Sequence, residues 1–496
     1  MSGRRSKRAI APPPPQAGPM APPPPPAAGP VAPPPPQAGP VGPWPWWLGA
    51  PFSAGFQAGE SVITPPGGQP EEFIAEQNVL DSFGRKIEAK LKAKSEAGPS
   101  RRRSSTRKYI NRNREGAHDQ LVADYFAEDP VYSDTQFRRR FRMRRHVFLR
   151  IVSALGEWSP YFTQRVDCCN RQGLSPLQKC TAAIRMLAYG TSADSLDEYL
   201  KVAESTALEC LEKFVEGVIE IFGGEYLRGP NADEVQHLLH VGESRGFPGM
   251  LGSVDCMHWR WENCPTAWKG QYTRGDYGVP TIILEAVASY NLRIWHAFFG
   301  VAGSNNDINV LNQSPLFMET IKGEAPRVRF FVNGNQYDTG YYLADGIYPE
   351  WAAFVKSISS PQLEKHKLYA RTQEGARKDV ERSFGVLQGR FNIVRRPARL
   401  WSTRTIKRIM QACVILHNMI VEDEGVEMAE QPLDLNDMPG TSIVLPPEVN
   451  KGSNSNPCFN DIRRRNAAVR ARAIHTQLKN DLVEHIWQRS GNHANN

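Results

Sequence analysis

Residues 249–345 constrain this chain more than any other stretch. There, helical periodicity gives way to short β-branched and apolar runs that end in carboxylates. Gly249-Met-Leu-Gly-Ser-Val-Asp255 is an apolar run closing on an acid. Residues 281–289 and 294–301 are two strand-like runs around the polar break Asn291-Leu-Arg293, a pattern that predicts a hairpin. A helix is expected over 307–318. A strand follows over 328–332, and after a Gly/Asn turn a second one over 341–344 leads into Asp345. Helices are expected from there to about Glu422.

One of those later helices carries Arg377-Lys-Asp-Val-Glu-Arg-Ser-Phe-Gly385. Val380, Phe384 and Leu387 fall on an i, i+4, i+7 stripe, and Glu381 sits at its edge, where it can project across a sheet while the helix packs. Strand, hairpin, helix, strand and a late acidic helix make an α/β, ribonuclease H-like layout: a mixed sheet flanked by helices. Phosphodiester chemistry on such a frame uses two divalent ions ~3.5–4 Å apart, held by three carboxylates from distant parts of the chain. Oxygen ligands suit Mg²⁺ or Mn²⁺. Asp255, Asp345 and Glu381 are the candidate catalytic and metal-binding residues. Singly, each has an ordinary alternative. An Asp at a strand end is often a turn former, and a Glu between Lys378 and Arg382 is often a solvated ion pair. Their order and strand context favour the site. Asp307 is kept as an alternative second acid, although at a helix start it also serves as an N-cap.

Other polar residues near these acids admit two readings each. His258 orients a ligand water or supports the sheet. Arg382 and Arg390 clamp phosphate or lie on a solvated face. Trp259, Trp261 and Trp268 stack on bases or pack in the core.

The N-terminal residues 1–117 read as a disordered tail, with the repeat Ala-Pro-Pro-Pro-Pro-x-Ala-Gly-Pro near Ala11, Ala21 and Ala32. A short helix over 71–94 and the basic run Arg101-Arg102-Arg103 lie within it. That run suits a phosphate-contacting arm, an import signal or a solvated charge cluster. Residues 118–228 read as a helical domain. Its short helix, three-residue turn and long helix over 192–222 outline a helix-turn-helix. The long helix bears Glu204, Glu209, Glu212, Glu216 and Glu220, which suits a packing scaffold better than insertion beside phosphates. Residues 229–422 form the expected nuclease domain, and 423–496 a polar tail with one helix near 459–487.

The net charge of +8 fits a polyanionic partner. No window approaches ~18 consecutive apolar residues, so no membrane span is expected. A basic start followed by prolines is not a secretory signal. Eight cysteines without CxxC pairs suggest reduced intracellular thiols.

Residues ~230–420 resemble the DDE nuclease domain of PIF/Harbinger transposases, in the plant transposon protein branch. The resemblance rests on four strings: Gly252-Ser-Val-Asp-Cys-Met-His-Trp259, Asn333-Gly-Asn-Gln-Tyr-Asp-Thr-Gly-Tyr-Tyr-Leu-Ala-Asp-Gly-Ile-Tyr-Pro349, Val380-Glu-Arg-Ser-Phe-Gly-Val-Leu-Gln-Gly-Arg-Phe391 and Leu416-His-Asn-Met419. It implies an Asp-Asp-Glu triad, Mg²⁺ dependence and action on transposon ends and target DNA in the nucleus. It also implies a separate Myb-like DNA-binding partner. The rival reading is a host-adopted descendant that associates with DNA or chromatin without cutting. Self-association is left open.

Overall fold

The computed structural model describes residues 110–276, 278–429, 448–450 and 458–494. The proline repeat, the short helix over 71–94 and Arg101, Arg102 and Arg103 lie outside the described residues.

Among the described residues, six helices longer than a single turn precede the sheet. They are α1 (Arg114–Tyr125), α2 (Asp134–Phe141), α3 (Arg145–Trp158), α4 (Pro176–Tyr189), α5 (Glu204–Tyr226) and α6 (Ala232–Ser244). The apolar residues Phe137, Phe141, Val147, Phe148 and Ile151 approximate a helical stripe in the sequence; all are buried, but on two helices. Arg142 takes a left-handed conformation (φ 67°) that closes α2 before α3 begins. Local hydrogen bonding sets several starts: Ser133, Ser175 and Asn231 each form a capping box with the residue three positions on. The expected short-turn-long arrangement is present, with Lys201 at φ 55° between a single turn at Asp197–Leu200 and α5. Ala207, Leu211, Phe214, Val218 and Phe222 of α5 are buried in the core.

The sheet strands are β1 (Met250–Arg260), β2 (Thr281–Ala288) and β3 (Ile294–Ala302). Then come α7 (Asp307–Gln313), α8 (Met318–Lys322), β4 (Arg327–Val332), β5 (Asn335–Tyr337), β6 (Tyr341–Ala344) and β7 (Phe354–Lys356). The five-stranded sheet runs β3-β2-β1-β6-β7. β1, β2 and β3 form an antiparallel meander, and β6 and β7 join in parallel. A bulge between Met250 and Gly252 sets the β1–β6 register. Gly252 has φ 154°, and an added Cβ would stand 2.7 Å from the Ala288 carbonyl oxygen, so only glycine fits this bulge.

Helices cover both faces of this mixed α/β sheet. On one side, α9 (Glu364–Arg390) lays Val380, Phe384 and Leu387 against Met257, Leu284 and Ala286. On the other, Val310 of α7 meets Ile283 and Val301. α10 (Thr403–Ala429) runs beside β3 and α5. One apolar cluster extends from Leu121 to Ile420, so the leading helices and the sheet share a core.

β4, the strand expected over 328–332, pairs not with the five-stranded sheet but with β5 and β8 (Glu448–Asn450) in a separate three-stranded sheet. The helix expected near 459–487 is two helices, α11 (Phe459–Val469) and α12 (Arg472–Ala494). Leu478, Leu482, Val483 and Ile486 of α12 are buried with Val235, Phe330 and Tyr369. No described helix is long and apolar enough to cross a membrane.

Candidate active site at the sheet centre

Asp255 lies on the central strand β1, paired in register with Ala286 of β2. Strand alternation turns it to the α9 side together with Ser253, whose hydroxyl donates to the Ala376 carbonyl of α9. The next residue on that helix, Arg377, reaches back across the sheet. Its Nη1 lies 3.3 Å from Asp255 Oδ2 and its Nη2 lies 2.9 Å from Glu381 Oε1. Two acids 126 positions apart in the chain thus grip the same guanidinium. β6 runs parallel to β1 with Ser253 opposite Leu343, so Asp345 follows its strand at the level of Asp255. Asp345 is exposed, and its Oδ1 accepts the Gly346 N–H at 2.6 Å.

The electrostatics tie these acids to Asp307. Burial raises the Asp255 carboxyl to about 6, opposed by the Cys256 N–H and Arg377 and reinforced by Asp307 and Glu381. Burial also raises Asp307. The Cys256 thiol and Arg274 oppose that shift, and Asp345 and Glu285 add to it. Asp307 begins α7, as an N-terminal acid of that helix, but the cap itself is Asn306, which accepts from Asn309 N–H at 2.9 Å. Among the described residues, no three His, Cys, Asp or Glu are gathered closely enough to hold an ion as they stand. The cation between Asp255 and Glu381 is Arg377.

Three features of this region were not anticipated from sequence. Arg377 was visible only as one more basic residue, although its i, i+4 spacing to Glu381 is the signal for a helical pair. Glu285, fully buried on β2, approaches His296 Nε2 at 3.3 Å through Oε2 and leaves Oε1 without a partner. A single acid in an otherwise apolar strand was its signal. Asp379, 1% exposed, pairs with Arg245 at 2.5 Å and with Arg382.

The remaining candidates sit in structural networks. Arg382 is anchored to buried Asp379, with more than half of its side chain exposed. Arg390 turns inward to Glu424 (2.6 Å) and to His417 Nδ1 (3.2 Å). His258 is bonded to Thr281 Oγ1 at 2.9 Å on the face away from Asp255, and burial lowers it to about 4. Trp259 and Trp261 are buried and donate to the Arg396 and Leu400 carbonyls, whereas Trp268 is 44% exposed.

His417 supports this architecture through one fixed tautomer. Its Nε2–H donates to the Leu292 carbonyl (2.8 Å), so Nδ1 accepts from Arg390. Burial, with Arg390 second, lowers it to about 3. The unfolded chain therefore takes up this proton first, and stability falls as pH drops from about 6.5 toward 3, by up to about 1.4 kcal/mol per pH unit. His417→Gln, which needs no proton, should show a shallower decline of melting temperature between pH 6.5 and 4.5 than wild type. Parallel curves would exclude His417 as the source.

Residues 224–428 match the family model described as plant transposon protein, and residues 118–156 match a domain of unknown function. The matched region contains the acids, and these matches support a Harbinger-type transposase-derived family. Among its relatives, "Protein ALP1-like" of Arabidopsis thaliana is 25% identical over 278 residues, covering 53% of this chain and 65% of that protein. "Putative nuclease HARBI1" of Homo sapiens is 21% identical over 320 residues, covering 62% of this chain and 84% of that protein. The Bos taurus protein of the same name matches to the same extent. No solved structure matches the chain.

Proposed function

We propose that the chain is a metal-dependent DNA nuclease of Harbinger type on a ribonuclease H-like core. It hydrolyses phosphodiester bonds at transposon ends and transfers the freed strand to target DNA. The observation that carries this reading is the meeting of Asp255 and Glu381, from the central strand and the crossing helix, around a single cationic group. That guanidinium stands in for a cation, and an all-carboxylate donor set suits Mg²⁺ or Mn²⁺. Asp255, Asp345 and Glu381 would hold the metal, with Asp307 on hand as the alternative second acid. When bound, a pair of such ions supplies activation of a water or 3′-hydroxyl and stabilisation of the leaving oxygen.

The chain's own residues do the rest. β1 and α9 bring Asp255 and Glu381 to Arg377, and the register of β6 sets Asp345 level with Asp255. Arg377 balances the two acids until a cation competes for them. Nuclear action and a Myb-like DNA-binding partner belong to the same proposal and are carried by the family resemblance.

The second reading, a host-adopted DNA- or chromatin-associated protein that does not cut, draws on the same guanidinium, because Arg377 already neutralises the acids a metal would need. A nicking assay separates the two. The purified chain should nick supercoiled DNA in Mg²⁺ or Mn²⁺ and not in EDTA. If wild type holds DNA but leaves it intact in both metals, the non-catalytic reading stands.

A further inference from the structure

The helices before the sheet enclose a second place where charge and aromatic surface converge, apart from the acids. A cavity of about 440 Å³ opens between α1, α2, α4 and the turn at Asp194–Leu196. That volume lies within the range of small-molecule sites. Arg140 and Arg185 both line it. Both guanidiniums donate to one hydroxyl, that of Tyr125, Arg185 at 3.1 Å. Among the described residues, both half-buried guanidiniums bond tyrosine hydroxyls and neither is ion-paired with a carboxylate.

Aromatic faces hold the two cations in place. Arg140 lies 3.8 Å from the centroid of the Tyr132 ring, and Arg185 lies 5.0 Å from that of Phe141 and 5.6 Å from that of Tyr189. The cavity's one acid, Asp124, is occupied: Gln120 Nε2 donates to Oδ1 at 2.7 Å and the Tyr199 hydroxyl to Oδ2 at 2.5 Å. In contrast, the Thr191 hydroxyl at the cavity is buried with no partner.

Two guanidiniums facing a single carboxylate that bonds elsewhere favour a multiply accepting anion, and the exposed Tyr199, beside Tyr132 and Tyr189, offers aromatic surface. An unspent hydroxyl adds a polar contact. A bare inorganic anion would leave the tyrosine walls unused, and an apolar ligand would leave both arginines unanswered. We infer that this cavity binds one nucleotide, its phosphate on Arg140 and Arg185 and its base against the tyrosine faces. The nucleotide is either free or carried by a single strand. The inference does not depend on cleavage, so it stands or falls separately from the acids at the sheet.

The test uses the full chain in EDTA, which removes metal chemistry. Calorimetry would follow a 5′-deoxynucleoside monophosphate, and fluorescence anisotropy would follow a labelled oligo-dT strand and a tyrosine-phosphorylated peptide. Two variants are compared with wild type: Arg140→Gln with Arg185→Gln, and Ser195→Trp. Ser195 is an exposed lining residue, and its replacement fills the cavity while leaving both arginines in place. This second variant keeps the test valid if the double substitution fails to fold.

Wild type should bind the mononucleotide, the strand or both, and each folded variant should lose at least about tenfold in affinity. Binding of the strand without the mononucleotide assigns the source to nucleic acid, and the converse to free nucleotide. The inference is overturned if wild type binds neither. It is also overturned if Ser195→Trp binds like wild type, or if only the phosphopeptide is held.

Discussion

Asp255→Asn should reduce metal-dependent nicking by roughly a thousandfold while raising the melting temperature by a few degrees. The first half follows from the role proposed for this side chain. Losing an anionic oxygen from a metal-holding set forfeits several kcal/mol of transition-state stabilisation, and about 4 kcal/mol is three powers of ten in rate. The second half follows from what the fold pays to keep Asp255 charged. The residue is one-fifth exposed, and Asp307 and Glu381 both act against its ionisation. Asparagine keeps the shape and the oxygen that accepts the Cys256 N–H (2.8 Å), yet removes the charge from this acidic setting. The relief is on the order of 2–3 kcal/mol, less whatever Arg377 loses with its partner. Opposite movements of activity and stability are the mark of a functional acid retained at structural expense. A structural ion pair would lose stability on the same substitution. Calorimetric melting beside plasmid nicking decides it: a variant that melts lower and cuts normally would remove Asp255 from the proposed chemistry.

The elements that place this acid were legible because their signals are local. β1, the β2–β3 hairpin and the helix bearing Glu381 each announce themselves in ten or so residues, by apolar runs, a polar break or a 3.6-residue stripe. What escaped was set by distant partners. β4 reads like any half-buried strand, and its assignment to a second sheet depends on β8, over a hundred positions later. β7 spans only Phe354–Lys356 and owes its existence to the β6 edge. The basic cluster Arg138–Arg140 is contiguous in the sequence. In the fold, Arg140 turns to tyrosines while Arg138 pairs with Glu424, 286 positions away. Charge on a helix can be counted from sequence, but its partner is a property of the tertiary packing. The same holds for Arg390, whose guanidinium is spent on His417 and Glu424.

Leu416-His-Asn-Met419, one of the strings that carries the family resemblance, belongs to the architecture, and Asn418→Ala should show this with a loss of about 4 kcal/mol or more of stability. Asn418 is fully buried on α10. Its Oδ1 accepts the Ile294 N–H at 2.9 Å, and its Nδ2 donates to the carbonyls of Ile294 and Tyr226, each at 2.7 Å. Ile294 opens β3, the edge strand of the sheet, and Tyr226 ends α5. One amide therefore takes the place of a missing neighbouring strand and satisfies a helix-terminal carbonyl as well. Alanine would strand one N–H and two carbonyls in a site too enclosed for easy hydration, at about 1–3 kcal/mol each. Domains have only about 5–15 kcal/mol of stability in all, so the variant should unfold at markedly lower urea or be recovered mostly insoluble. Met419→Leu, one position away and similar in volume, should cost less than about 1.5 kcal/mol and controls for disturbance of the helix. Equilibrium urea unfolding of both measures the difference. A loss under about 1 kcal/mol for Asn418→Ala would mean that the three bonds do not join α5, β3 and α10, and a direct part for the string in the chemistry would have to be reconsidered.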